Sequence, residues 1–388
     1  MSGNLKNNSS TNLQIRRDVY KAIDKGIGYL TLQQSSNGCW FDPAGSPSVG
    51  MTALAVIALH KFNLINTEDG NRANKGSFNG NIDRAVLFLL KYVDKDGLLS
   101  QPNQFYSGYE VPLVLKVLLE VDNRKYKKEI EILKRQILLT QLTENYKWQG
   151  AERMDRTNWR YGSWNYNESP QIDPDISVHI FNLDSLRLVG TDDVKGAIER
   201  ASVFLRRCQN LKSENDLQNS LNDGGFKHAP FLGKAGTVDL DNGEVGILSY
   251  GSVTCDGLLG LIYVGAGRDY KPFQAGIEWL KENYALDRNP GMGKDTKDEK
   301  QLKEERNVCL FYYYRSLAKL FDALNEDTFV DKKGTKHSWA NELAERIIYL
   351  QRQDGSWCNS STTMWEGYPP LATVFNLDSL QTLRKWLR

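Results

Sequence analysis

Apolar residues recur along this chain in paired segments, and the two members of a pair differ in how much of a helix they cover. The first member is amphipathic. Ile23, Ile27 and Leu30 near the start, and Leu343, Ile347, Ile348 and Leu350 near the end, recur at helical spacing with polar residues between. The second member is apolar around most of its circumference: "VGMTALAVIALHKF", "GYEVPLVLKVLLEV", "DISVHIFNLDSLRLV", "SVTCDGLLGLIYVG", "VCLFYYYRSLAKLF" and "PPLATVFNLDSLQTL". A helix apolar all round belongs in an interior. Each pair therefore predicts an outer helix followed by a buried inner one, the inner ones over 49–62, 108–121, 175–189, 252–264, 308–321 and 370–383.

Between the two members stands a glycine cluster, such as "NGCW", "YGSW", "DGGF" or "DGSW". The six glycines are Gly38, Gly97, Gly162, Gly224, Gly291 and Gly355, with gaps of 59, 65, 62, 67 and 64 residues. Glycine ends an outer helix because it accepts the left-handed conformation, and the aromatic after it can pack back over the turn. A near-fixed period of this kind marks a repeat architecture. Six hairpins predict an all-α fold, a closed (α/α)6 toroid over 18–388 preceded by a flexible segment, 1–17. Closure is expected because the last inner segment is as apolar as the others, whereas an open solenoid needs a polar cap. The polar stretches 64–80, 209–222 and 287–307 read as loops.

Composition narrows the function. A net charge of +1 over 388 residues leaves no electrostatic footprint for nucleic acid. The five cysteines are scattered without a CxxC spacing, so neither a disulfide framework nor a zinc ribbon is expected. The start, "MSGNLKNNSSTNLQ", has no apolar signal-peptide core, and no apolar run approaches the ~20 residues of a membrane span. A cytoplasmic protein is expected; the pattern sets no oligomeric state.

At "QDGSW" the sequence resembles the repeated Gln-Trp motif of squalene cyclases, class II terpene cyclases and protein prenyltransferase β-subunits. "NWRYGSWNYNES", "DPDISVHIFNLDSL", "LRRCQNLK", "NDGGF" and "FYYYRSLAKLF" look like the bacterial prenyltransferase/squalene oxidase repeat proteins of that superfamily, over residues 18–386. The resemblance implies an isoprenoid or other hydrophobic small molecule as partner, with no cofactor. Zinc ligands of the prenyltransferase kind, Asp-x-Cys, are not matched: Val253 stands two before Cys255, and the last two hairpins offer only His337. No metal site is expected.

"DPDIS" opens the third inner segment. Class II cyclases protonate an alkene or epoxide with a D-x-D-D motif at such a place, so the resemblance makes Asp175 the donor and Asp173 its modulator, with Ile176 replacing the third acid. The same residues also read as a helix start, Asp173 capping before Pro174 and Asp175 favouring the positive end of the dipole. The readings oppose each other in charge state. A general acid needs a raised pKa, a cap a lowered one. Asp256, beside Cys255, reads as a cap or a second cavity acid, and Cys255 as a small buried hydrophobe.

Aromatic residues gather near the inner-helix starts: Phe105, Tyr106, Tyr109, Trp159, Tyr161, Trp164, Tyr250, Phe311, Tyr312, Tyr313, Tyr314, Trp365 and Tyr368. Aromatic faces stabilise desolvated cations by up to ~2 kcal/mol each, which suits carbocations. Asp175, Tyr161, Trp164 and Tyr312 are expected to line one mouth, around a pocket of at least ~300 Å³. His179, four residues after Asp175, reads as its partner or as a core histidine, and Arg160, with Arg156, as a contact for diphosphate or as a solvated cation. Asp184 and Asp378 occupy matching places in two "FNLDSL" segments, which reads as repeat architecture. Three functions stay open: an isoprenoid-handling enzyme resembling a class II terpene cyclase, a non-catalytic toroid binding a lipid, peptide or protein, and a glycosidase or lyase pairing Asp175 with Asp256 or Glu366.

Overall fold

The computed structural model describes residues 3–68, 77–97, 106–146, 153–167, 173–293 and 297–387, with side chains from Leu13 onward. Phe105 lies outside them. The chain is mostly helical, in consecutive pairs: α1 (Gly3–Leu32) and α2 (Val49–Glu68), α3 (Asn79–Leu90) and α4 (Ser107–Asp122), α5 (Lys127–Thr140) and α6 (Ile176–Val189), and α7 (Lys195–Cys208) and α8 (Gly251–Tyr263). Next come α9 (Lys271–Asn283), a short α10 (Glu299–Arg306) and α11 (Leu310–Leu324), then α12 (Trp339–Tyr349) and α13 (Pro369–Leu383). The second helix of each pair is the buried one. From Gly251 to Leu261 every residue of α8 is buried, whereas α12 buries only one stripe, Trp339, Ala340, Leu343, Ala344 and Ile347. The six inner helices pack in chain order, α2 on α4, α6, α8, α11 and α13 in turn, and α13 also packs on α2.

The corners explain the repeated sequence. Gln34, Gln141, Gln209 and Gln351 each place an amide nitrogen between two carbonyls, one on the corner glycine and one on a neighbouring outer helix, all at 3.0 Å or less. The indole N–H groups of Trp40, Trp164 and Trp357 each donate at 2.8 Å to a carbonyl near the end of the outer helix just completed. These bonds satisfy carbonyls that a helix end leaves open. Glycine is required sterically: at Gly162 and Gly355, φ is +85° and +89°, and a Cβ would meet the backbone oxygen of Arg200 or Lys25 at 2.1 or 2.5 Å.

Three features depart from the sequence pattern. Among the described residues, three two-stranded antiparallel hairpins decorate the helices: β1 (Trp40–Phe41) with β2 (Pro47–Ser48), β3 (Thr237–Asp239) with β4 (Val245–Ile247), and β5 (Phe329–Val330) with β6 (Lys336–His337). Strands this short carry no readable alternation. The predicted loop 287–307 contains α10, which buries no residue and rests on the Asp298 cap. It has no apolar stripe for a periodicity to detect. Finally, α2 runs six residues past the predicted end, to Glu68, and is by length and composition alone able to cross a membrane. As an inner helix it has 67% of that window buried within the fold.

Candidate active site

Inner helices begin side by side, so their open N–H groups converge and must be satisfied. Asp175 caps α6, its Oδ1 accepting from Val178 N at 2.8 Å. Glu366, from the segment before α13, accepts from Tyr312 N at 2.7 Å and Phe311 N at 3.1 Å at the start of α11. Glu110 takes Gly50 N at 3.3 Å for α2, and Asn289 takes Ser252 N at 3.0 Å for α8.

Among these helix starts lies a cavity of about 320 Å³. Its aromatic wall is Tyr106, Tyr109, Tyr166, Phe181, Tyr250, Tyr312, Trp365 and Phe375; its polar groups include Glu110, Glu366, Ser177, His228, Lys234 and Cys309. Leu54, Leu113 and Phe181 separate it from a water-sized void beneath. That void meets a buried ionic layer about two and a half turns into the helices. There Lys116 and Arg187 hold Asp184 at 2.6 and 3.0 Å, while Lys61, Arg315 and Lys319 surround Asp378. The matching aspartates are the anions of one layer. Arg315 lies 4.8, 5.8 and 6.0 Å from the rings of Phe181, Tyr312 and Phe375, so three cavity rings rest on a fixed cation.

The carboxyl groups around the cavity differ in charge state. Burial works to raise Asp175, but its pairing with His228, the Lys234 charge and the hydroxyls of Tyr166 and Ser177 outweigh it, and its pKa is lowered. Ser177 Oγ donates to Asp175 Oδ1 at 2.7 Å, Tyr166 donates to Oδ2, and Tyr109 Oη lies 2.6 Å from Ser177 Oγ. His228 Nε2 is 3.3 Å from Asp175 Oδ2, and Tyr250 Oη is 3.4 Å from His228 Nδ1. Burial pushes His228 down to about 4, so it is neutral at pH 7. The hydrogen bonds assign its proton to Nε2, leaving Nδ1 as an acceptor. Burial pushes Glu366 up to about 7, against the N–H groups of Tyr312 and Phe311 and the Asn359 amide. Burial likewise raises Asp256 to about 6; it sits behind the wall, where Tyr312 donates to it at 2.8 Å.

Of the residues singled out in the sequence, Tyr106, Tyr109, Tyr250, Tyr312, Trp365 and Glu366 line the cavity. Asp175 is fully buried just behind Tyr166, Ser177 and His228, in the geometry of a cap. The others sit elsewhere. Tyr161 and Trp164 do not line the mouth: Trp164 closes its own corner on Ile137, and Tyr161 donates to Glu144. His179 packs between Trp164 and Phe204, and burial lowers it to about 3. Arg160 pairs with Asp173 at 2.6 Å and lies over Trp159, which meets Phe231. Cys255 is buried, Phe311 packs on Tyr314, and Tyr368 donates to the Phe41 carbonyl. Sequence reasoning did not find Tyr166, His228 or Lys234. All three stand on connections between helices, where no apolar period applies. The one available signal is that "GGFKHAP" places His228 four residues after a corner glycine. Among the described residues, no group of three His, Cys, Asp or Glu side chains is disposed to hold a metal.

No protein-family model matches the chain, and no curated protein matches it in sequence. Solved structures do match in shape. Type II terpene cyclase MstE from Scytonema, complexed with its product merosterolic acid A, superposes with a TM-score of 0.57 at 12% identity, over 97% of this chain and 99% of that one. Its complex with the substrate geranylgeranyl dihydroxybenzoate gives 0.54 at 11%, again over 97% and 99%. An α-amylase from Clostridium perfringens also gives 0.54, at 12% over 95% and 98%. Identities this low speak for fold and not for chemistry. The chain thus has a terpene-cyclase-like fold.

Proposed function

We propose that the helices form a closed (α/α)6 toroid whose mouth takes a linear isoprenoid and starts its cyclisation by protonation, in the manner of a class II terpene cyclase. Packing of α13 on α2 and the bond from Gln351 to Ala22 support closure. One observation carries the chemistry: the aromatic cavity has in its wall a carboxyl group, Glu366, that keeps its proton near neutral pH. Glu366 is the proton donor in this reading, and Asp175 is not. Asp175 is a lowered, hydrogen-bonded cap behind the wall, while Asp256 reaches the cavity only through Tyr312.

Glu366 transfers its proton to a terminal alkene carbon, the π pair forms the new C–H bond, and a carbocation remains. Tyr109, Tyr250 and Trp365 offer π faces to it. A second alkene supplies the electrons that close the ring. His228 takes the final proton, and the imidazolium is matched by ionised Asp175 at 3.3 Å. Acid and base thus follow from environments that push two titrations apart. That a solved structure of this fold holds geranylgeranyl dihydroxybenzoate supports a hydrophobic ligand. Of the carboxylates that the glycosidase reading pairs, Asp175 with Asp256 or Glu366, Glu366 alone lines the cavity, so neither pair faces it. The experiment is turnover of farnesyl and geranylgeranyl substrates by the wild type and by Glu366→Gln; binding without turnover would point to a non-catalytic lipid-binding toroid.

A further inference from the structure

We infer that the isoprenoid taken by this cavity carries an anionic head group, and that Lys234 reads it. The inference rests on the isoprenoid reading above and adds the chemistry of the ligand's polar end. Among the described residues, Lys234 is the one lysine or arginine lining the cavity. The two acids of the lining face helix N-termini: Glu110 accepts from Gly50 N and Glu366 from Phe311 N and Tyr312 N. Neither is within ion-pair distance of Lys234, whose charge is felt instead at Asp175, His228 and Cys309.

The backbone that carries Lys234 is also held in place. Its loop is pinned by Asn219 donating to the Pro230 carbonyl at 2.7 Å, by Ala229 N to Leu232 O at 3.0 Å, and by Leu248 N to Gly236 O at 3.1 Å. Gly233 is pressed so closely on Ile247 that a Cβ would approach its Cγ2 to 2.3 Å. The cavity is polarised as a result. Its floor is Leu54, Leu113 and Phe181, and its rim holds a half-buried ammonium group. A hydrocarbon would cover that charge with no carboxylate at ion-pair distance, at a desolvation cost; a ligand with an apolar tail and an anionic head would pair it. Lysine acts as a point charge, so a carboxylate and a phosphate satisfy it alike.

The test uses the full chain and three probes: geranylgeranoic acid, geranylgeranyl monophosphate and geranylgeraniol. Binding is read by tryptophan fluorescence and by calorimetry in the wild type, Lys234→Gln and Lys234→Arg, with melting curves to confirm folding. At least one anion should bind the wild type tenfold or more tighter than the alcohol, with the preference shrinking as salt rises. Lys234→Gln should bring the anions down to the affinity of the alcohol, and Lys234→Arg should retain the preference. The tighter of the two anions identifies the head group. Equal binding of alcohol and anions, or a preference that survives Lys234→Gln, overturns the inference and leaves the isoprenoid reading standing. Failure of all three probes to bind overturns both.

Discussion

Gln351 donates to the carbonyl of Ala22 at 2.9 Å, across 329 residues of chain. The same amide nitrogen reaches the Gly355 carbonyl at 2.9 Å, so one side chain ties the last corner to the first outer helix. Net contributions near 1 kcal/mol per hydrogen bond imply that Gln351→Ala costs about 2 kcal/mol in urea unfolding. Substitution of exposed Gln33 should change stability by under ~0.5 kcal/mol. Gly355→Ala should cost more than Gln351→Ala, because φ is +89° and the new Cβ would strike Lys25 O.

The buried ionic layer makes a second prediction. Asp378→Asn leaves Lys61, Arg315 and Lys319 facing one another without their anion, and losing one partner of a buried pair costs ~3–5 kcal/mol. The pKa of Asp378 lies well below the ordinary carboxylate value: burial works to raise it, and Lys61, Lys319 and Arg315 outweigh burial. A lowered folded pKa gives stability that is present above the unfolded value, near 3.8, and is lost as pH falls below it. Acid unfolding curves should therefore flatten in Asp378→Asn.

These two predictions concern parts of the molecule that the sequence made legible to different degrees. The inner helices begin within two residues of the expected positions, because an all-round apolar segment and a corner glycine are strong local signals. The glycine followed by an aromatic marked the corners for the same reason. The cavity was only partly legible. Tyr106, Tyr109, Tyr250, Tyr312 and Trp365 were found because they stand at or near helix starts, whereas Tyr166, His228 and Lys234 reach the rim from connections with no period. Trp164 was misplaced because an aromatic beside a corner glycine packs over its own turn.

For activity against pH, the acid must be protonated and the base neutral. With Glu366 near 7 and His228 near 4, kcat/KM should rise through about 4 and fall through about 7. Stability carries a related sign. Folding raises Glu366 from 4.5 to about 7, so the folded state binds the extra proton and stability declines as pH rises through that window. Glu366→Gln should remove that slope, measured by denaturant titration at several pH values.

Asp175→Asn separates capping from acid chemistry. The variant keeps a side-chain oxygen for Val178 N and should lose on the order of 1 kcal/mol of stability. Product formation should persist at a reduced rate, since His228 loses the carboxylate that matches its imidazolium. Complete loss of turnover with unchanged ligand binding would move the proton donor back to Asp175.

Product analysis in deuterated water tests the protonation mechanism most directly. Wild-type protein given farnesyl and geranylgeranyl substrates, each with an anionic head, should release a cyclic product carrying one solvent deuterium at the carbon that received the initiating proton. Glu366→Gln should bind the same substrate and form no such product. No cyclic product from any linear isoprenoid, or a cyclic product free of deuterium, would contradict protonation by a carboxyl in this cavity.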